Sequence, residues 1–338
     1  LFLHIKIKSD LKQVCDGENI MKIIDFNTVK KICSRLNSDV YLDWIEYALR
    51  HKNDFVMPPK TRISQENGDY YAIMPCMYEE ENIAMTKMIG RHLLKDKEVR
   101  STMMSDMLLY EADTGVLKAL IDGEYITTLR TGSAAAHAAL MYGKDGFTTI
   151  GLIGLGNIMT VCISLLVSRL QERKLVLKLY KHNGQENRLI DRLKSFDNIQ
   201  FVLCDTYEET IKGSEVVISA VTRTVDNFCS DECFDEGCTV IPIMTLGFQN
   251  CDLFFDKVFT DEIEQIKGFK YFDEFKSIEN TTDVLLGKKN GRENDKERIL
   301  VYYYGLAIHD LYFATKILNN SMSIADTPYN YCKEKFFV

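Results

Sequence analysis

The chain has 338 residues, room for two domains, and its 46% hydrophobic and 27% charged residues are those of an ordinary globular protein. With 41 basic against 49 acidic residues it carries a net charge of −8 and no basic block, which argues against nucleic acid as a main partner. Five prolines and no low-complexity tract argue against long linkers, and ten scattered cysteines resemble no secreted disulfide framework, so a reducing, cytoplasmic setting is expected.

Residues 1–20 precede a more convincing start at Met21. Their apolar run is short and broken by Lys6 and Lys8, unlike a signal peptide, and they are expected to form a disordered extension. Residues 27–50 read as one helix, with Val29, Ile32, Leu36, Val40, Leu42, Ile45 and Leu49 near a 3.6-residue period. Met57-Pro58-Pro59 ends that region. Residues 70–77 and 83–89 read as short strands, and 105–112 and 117–122 bracket Asp113-Thr114-Gly115 as a hairpin. Residues 126–131 then lead into 134–142, an alanine-rich helix with a small-residue face. This first part is mixed α+β with antiparallel strands.

From Phe147 the grammar changes to alternation. Strand 148–153 leads to helix 157–170, strand 174–180 to helix 186–196, and strand 199–203 to helix 206–212; strands 215–220 and 239–242 follow. Repeated βα units imply a parallel sheet with right-handed crossovers. Strand 257–260 is expected to extend its edge, 287–297 to be a solvated loop, and 300–318 to open on a tyrosine run and end in a long helix packed on the first part. Residues 147–168 carry no charge and are long enough to span a bilayer. Glycines, Asn157 and several hydroxyls dilute the run and no second span follows, so a buried βα unit is the better reading.

Within that unit, Gly154-Leu155-Gly156 joins strand to helix. Glycines there let the backbone approach a pyrophosphate, and the free N–H groups of the new helix hold its charge. The third small residue of the dinucleotide fingerprint is Met159, so on these residues alone a nucleotide turn and an ordinary connection weigh evenly. The βα alternation tips the balance to a Rossmann-type domain. After the second strand come Lys181, His182 and Asn183 instead of the acid that binds a ribose 2′-hydroxyl, which favours NADP over NAD. No metal is expected: Cys229, Cys233 and Cys238 lack a nearby histidine as a fourth ligand.

Several separated motifs occur in order: Met57-Pro58-Pro59-Lys60-Thr61, Met74-Pro75, Thr86-Lys87, Asp122-Gly123, Leu129-Arg130-Thr131, Gly154-Leu155-Gly156, Gly291-Arg292-Glu293 and Gly305-Leu306-Ala307-Ile308-His309-Asp310. Through them the chain resembles the ornithine cyclodeaminase/mu-crystallin family from about Met21 to Asn320. The stretch from Gly291 to Asp310, with Lys60, looks most like the siderophore-pathway branch, whose members oxidatively cleave an N-substituted amino acid. The resemblance implies a homodimer. It implies a substrate-binding and dimerisation domain from residues 21–143 and 304–338, around a dinucleotide domain at 144–303. It also implies hydride exchange between NAD(P) and the α-carbon of a small amino or imino acid. The catalytic group would be Lys87, Arg130, Lys60 and Asp310, with Arg130 as a bidentate fork for a carboxylate and Lys87 as a point charge that handles a proton. On charge alone, Lys87, Arg130 and Lys60 would each read as a surface salt bridge. Cofactor contacts would come from Thr131, Gly154, Leu155, Gly156, Asn157, Ile158, Lys181, His182 and Val221.

Two departures bear on the reaction. Ornithine-cyclising members carry an aspartate after the sixth strand, where this chain has Met244-Thr245-Leu246-Gly247, so a dehydrogenase or imine reductase is favoured over a cyclodeaminase or a non-catalytic NAD(P)-binding protein. Asp106, where many relatives have threonine, is either a compensating base or a solvated strand residue.

Overall fold

The computed structural model describes residues 20–92, 103–221, 224, 226–249 and 252–331. The expectation of a disordered extension therefore lies outside the described residues, save for Ile20. That residue already belongs to strand β1 (Ile20–Ile24), paired with Pro328, so β1 includes the residue before the expected start at Met21.

Helices α1 (Phe26–Cys33) and α2 (Val40–Arg50) replace the single helix expected over 27–50. The apolar period runs through both, but Asn37 accepts the Asp39 N–H through its side chain and Arg35 and Leu36 close tight turns. Short polar side chains compete for the backbone in this way and break helices. Strands β2 (Phe55–Val56), β3 (Thr61–Ser64), β4 (Tyr70–Tyr78), β5 (Ile83–Arg91), β6 (Met103–Glu111) and β7 (Leu117–Asp122) follow. The long helix α3 (Gly123–Tyr142) starts well before the alanine run, because the Asp122 carboxylate caps the Tyr125 N–H.

The alternating part comprises β8 (Thr149–Ile153), α4 (Asn157–Arg169), β9 (Leu175–Tyr180), α5 (Gln185–Leu193), β10 (Ile199–Cys204), α6 (Tyr207–Ile211), β11 (Val216–Ser219) and β12 (Thr239–Pro242). Then come β13 (Lys257–Thr260), α7 (Ile263–Ile266), β14 (Ile278–Asn280), α8 (Thr281–Leu285), β15 (Ile299–Tyr302), α9 (Ala307–Asn319) and β16 (Asp326–Pro328).

Two sheets result. The first runs β16-β1-β7-β6-β5-β4-β2, with β3 beside β4; β1 lies parallel to β7 and the other pairs are antiparallel. One face alternates into the core, with Ala72, Met74, Met85, Ile89, Met107, Leu109, Ala119 and Ile121 buried against α1, α3 and α9. The other leaves Tyr71, Met88 and Met104 exposed. The second sheet is wholly parallel, in the order β10-β9-β8-β11-β12-β15-β13-β14. Strand 257–260 was expected at its edge but lies inside, because residues 299–302 form β15 between it and β12 and β14 pairs with its other side. The fold is α/β, a Rossmann-type parallel sheet beside an α+β layer that takes strands from both ends of the chain. The uncharged stretch at 147–168 divides into β8, its turn and α4, and among the described residues no helix is long and apolar enough to cross a membrane.

Candidate functional site

Lys87 stands on the core face of β5, in phase with Met85 and Ile89, and is fully buried. A charge in that position must be paired. Its Nζ donates to Thr127 Oγ1 on α3 and to Asp310 Oδ1 on α9, both at 2.8 Å. Arg130, one helical turn beyond Thr127, donates from Nε to the same Asp310 oxygen at 3.0 Å. Asp310 is fully buried and its Oδ2 has no partner among the described residues. Two cations thus share one carboxylate oxygen. These are not surface salt bridges.

Burial draws the Lys87 ammonium down to about 8, against the opposing pull of Asp310. Burial would raise the Asp310 carboxyl, but the charges of Arg130 and Lys87 outweigh it and hold it below its ordinary value. Neighbouring His309 is pulled to about 3 by burial and then by the like charge of Arg130, so it stays neutral.

A second layer holds Arg130. Gly305 has φ +91°, and a Cβ on it would come within 2.6 Å of Arg130 Nη1, so bare backbone lies against the guanidinium. The Tyr304 and Gly305 N–H groups both donate, at 2.9 Å, to the carboxylate of Asp261, which follows β13. Burial raises Asp261 to about 6 despite those two bonds. Thr127, Asp261 and Gly305 were not among the expected site residues. Asp261 carried a readable signal, since an acid just past the carboxyl end of a parallel strand occupies the sheet edge where ligands bind.

Lys60, just before β3, lies on the wall of a cleft of about 410 Å³ that Pro58, Pro59, Arg62, Tyr70 and Tyr304 also line. Its side chain is exposed on the cleft wall, yet the neighbouring walls crowd it. That crowding, followed by the like charge of Arg130, lowers its ammonium below the usual lysine range. Asp106 pairs with Met88 and Asp122 while Lys87 pairs with Met107, so the Asp106 side chain lies on the opposite face of the sheet, exposed. It is a solvated strand residue here, with no place beside Lys87.

The dinucleotide-type turn lies one helix away. Gly132, two residues past Arg130, sits against α4: a Cβ there would lie 2.7 Å from the Ile158 carbonyl. Thr131 therefore stands where α3 meets the start of α4, its hydroxyl bonded to the Thr127 carbonyl. Gly154 has φ +81° and packs so closely on Ala220 and Val221 that no side chain fits. Gly156 precedes α4 with no protein atom within 4 Å of a Cβ built on it. No side chain caps this helix, and Asn157 and Ile158 open its first turn. An open space at an uncapped helix N-terminus, at the point where the strand order turns from β8 to β11, fits a dinucleotide pyrophosphate. Leu155 is buried, and its N–H donates to the Gln185 side chain at 3.0 Å. Met159, in the third glycine position, is fully buried in the core.

Lys181 and His182 follow β9 and are exposed. Lys181 pairs with Asp205 after β10, and His182 contacts Asn183. The loop after β12 holds Thr245 at φ 60° and leaves Met244 and Leu246 at the surface.

A sequence model of the ornithine cyclodeaminase/mu-crystallin family matches residues 23–324. The chain is 26% identical over 297 residues to the N-((2S)-2-amino-2-carboxyethyl)-L-glutamate dehydrogenase of Staphylococcus aureus, spanning 81% of this chain and 88% of that one. Its fold matches an archaeal alanine dehydrogenase dimer with bound NAD at a TM-score of 0.78 and 22% identity, over 92% of this chain and 100% of the other. It matches the Thermococcus litoralis Δ1-pyrroline-2-carboxylate reductase, solved with NADH and L-proline, at 0.76 and 18%, over 90% and 98%.

Proposed function

The chain belongs to the ornithine cyclodeaminase/mu-crystallin family, and on that premise we propose that it is an oxidoreductase exchanging hydride between a nicotinamide dinucleotide and the α-carbon of an amino or imino acid. The observation that carries this reading is the single helix α3. It presents Thr127 and Arg130 to the buried Lys87–Asp310 pair and, at Gly132, touches the first turn of α4. The dinucleotide, when bound, supplies the hydride acceptor or donor. The turn from Gly154 to Ile158 would hold its pyrophosphate, with Thr131 and Val221 alongside. Arg130 and Lys60 would bind the substrate carboxylate, and Lys87, drawn down to about 8, would hold or release the proton at the substrate nitrogen. Asp310 would keep Lys87 and Arg130 in register. The two sheets support a functional division at 143/144 and 303/304. The exposed Tyr71, Met88 and Met104 support a homodimer through the open sheet face. The free cysteines among the described residues fit a reducing cytoplasm.

The test is a panel of amino and imino acids followed by nicotinamide absorbance, with ammonia and proline measured in parallel. A cyclodeaminase returns its hydride and shows no net change in absorbance. With Thr245 and Leu246 where cyclising relatives carry an acid, no carboxylate is supplied there for the leaving ammonium, and leaving that charge unpaired is costly. Net, stoichiometric cofactor turnover is expected with the true substrate, and negligible proline from ornithine. Catalytic proline formation without net turnover would overturn the reading.

We further propose that NADP(H) binds at least as tightly as NAD(H), since Lys181 and His182 stand where an acid would bind the ribose. Lys181 pairs with Asp205 at the ends of β9 and β10, an exposed contact for which a 2′-phosphate would compete. Lys181→Asp should shift the ratio of NADPH to NADH affinity towards NADH by about tenfold or more, the weight of one charge-assisted contact. A titration at fixed ionic strength in which the wild type clearly prefers NADH would refute this.

A further inference from the structure

The cleft lined by Lys60 carries charges that are unevenly satisfied. Four charged side chains line it: Lys60, Arg62, Glu262 and Glu264. Both acids have cations of their own. Glu262 pairs with Lys52 at 3.2 Å, and Glu264 pairs with Lys267. Neither Lys60 nor Arg62 has an acidic partner within 4.0 Å among the described residues. The cleft therefore presents two uncompensated positive charges.

Arg62 is also held in place. Its guanidinium carbon lies 4.0 Å from the centre of the Tyr70 ring, and its Nε donates to Ser64 Oγ at 3.1 Å. Stacking on an aromatic face and a tied Nε orient the fork while leaving its terminal nitrogens open. Gln265 lines the same cleft, and its side-chain carbonyl oxygen is buried with no partner among the described residues. Lys60 joins this cleft to the catalytic cluster, because the charges of Arg130 and Asp310 act on its ammonium. Tyr304 joins them at the other wall, being followed by the Gly305 backbone that touches Arg130.

We propose that the substrate carries a second carboxylate, remote from the reacting α-carbon, and that Arg62 recognises it at the outer end of this cleft. The inference rests on the oxidoreductase reading above and adds the substrate class: an amino acid with an acidic arm. A single α-carboxylate is already served by Arg130 and Lys60. Arg62 then remains as an oriented cation with a matching cleft. A substrate with an ammonium arm would instead meet net positive charge there.

The experiment measures dissociation constants by calorimetry for L-glutamate, L-norvaline and L-ornithine. These have chains of equal length ending in a carboxylate, a methyl group and an ammonium. The protein is saturated with NADPH or NADH, so that no turnover occurs. Glutamate should bind about tenfold or more tighter than norvaline, and ornithine more weakly than either, as a charge-assisted, bidentate contact requires. Arg62→Gln should bring the glutamate-to-norvaline ratio to within about twofold, and Arg62→Lys should restore part of it, because charge returns without the fork. Norvaline binding as tightly as glutamate, or an unchanged ratio in Arg62→Gln, overturns the second-carboxylate site while leaving the oxidoreductase reading in place. Tightest binding of ornithine overturns it in favour of a diamino acid. Binding of none of the three overturns the second-carboxylate site, and the oxidoreductase reading falls with it only if no amino or imino acid of the panel turns over the cofactor.

Discussion

Gly156→Val should fold normally and lose its affinity for nicotinamide dinucleotides. The two glycines of the turn differ in the way this requires. At Gly154 the backbone is left-handed and the neighbouring strand end leaves no room, so a substitution there disturbs the packing of β8 on β11 and reports on folding. At Gly156 the backbone has φ −84°, which any residue adopts, and a Cβ points into open space. A valine side chain there costs the protein little and fills the volume that a pyrophosphate needs. Loss of at least about a hundredfold in affinity is expected, since phosphate contacts to several helix N–H groups go together. Fluorescence titration of NADPH and NADH, with circular dichroism as the control for folding, checks it. Unchanged affinity in a folded Gly156→Val protein would move the cofactor elsewhere.

Lys87→Met should reduce kcat/KM by about 10² or more, the contribution of a positioned proton-transfer group. This substitution also deprives the buried Asp310 of one of its two cations, and removing a partner from a buried ion pair is destabilising in its own right. Lys87→Arg separates the two effects. It keeps a cation for Asp310 but cannot give up its proton near neutral pH. If Lys87 transfers a proton, Lys87→Arg should be as inactive as Lys87→Met while melting close to the wild type. The pH profile gives a further readout. Burial places the Lys87 ammonium near 8, so its neutral form grows as pH rises through that value. Oxidation of the amino acid, which needs a base, should quicken up to about pH 8 and then level off. Reduction, which needs an acid, should slow above it. Both limbs should vanish in Lys87→Arg. A Lys87→Arg enzyme with near-normal kinetics would assign Lys87 a purely structural role.

Much of the parallel sheet could be read from the chain because its signals are local: an apolar run, a turn, a helical period, repeated. The position of β13 could not, since which strand neighbours which is decided by contacts far apart in sequence, and β15 arrives late to insert beside β12. The break between α1 and α2 was hidden because the apolar positions keep their period through it. In the candidate site, the burial of Lys87 had a signal that charge-based reasoning passed over. It alternates in phase with Ile83, Met85 and Ile89, and a cation in the core phase of a strand has to be held by something. Arg130 lies four residues after buried Ile126 and four before buried Ala134, the same signal at helical spacing. The partners of Lys87, Thr127 and Asp310, come from other elements, and Asp261 braces the Gly305 backbone that lies against Arg130.

The pairing of β1 with both β7 and β16, and the placing of Asp310 on α9, have a consequence for how the molecule is made. A ribosome releases Lys87 and Arg130 long before it reaches Asp310, with the whole parallel sheet translated in between. Until that late helix emerges, the nascent core face holds two cations and no anion, and burying both without a counter-charge would be costly. Helix α9 must dock before the first layer can close, so a stalled or clipped chain offers quality control an unburied apolar face instead of a half-working enzyme. The interior is neutralised only when α9 arrives.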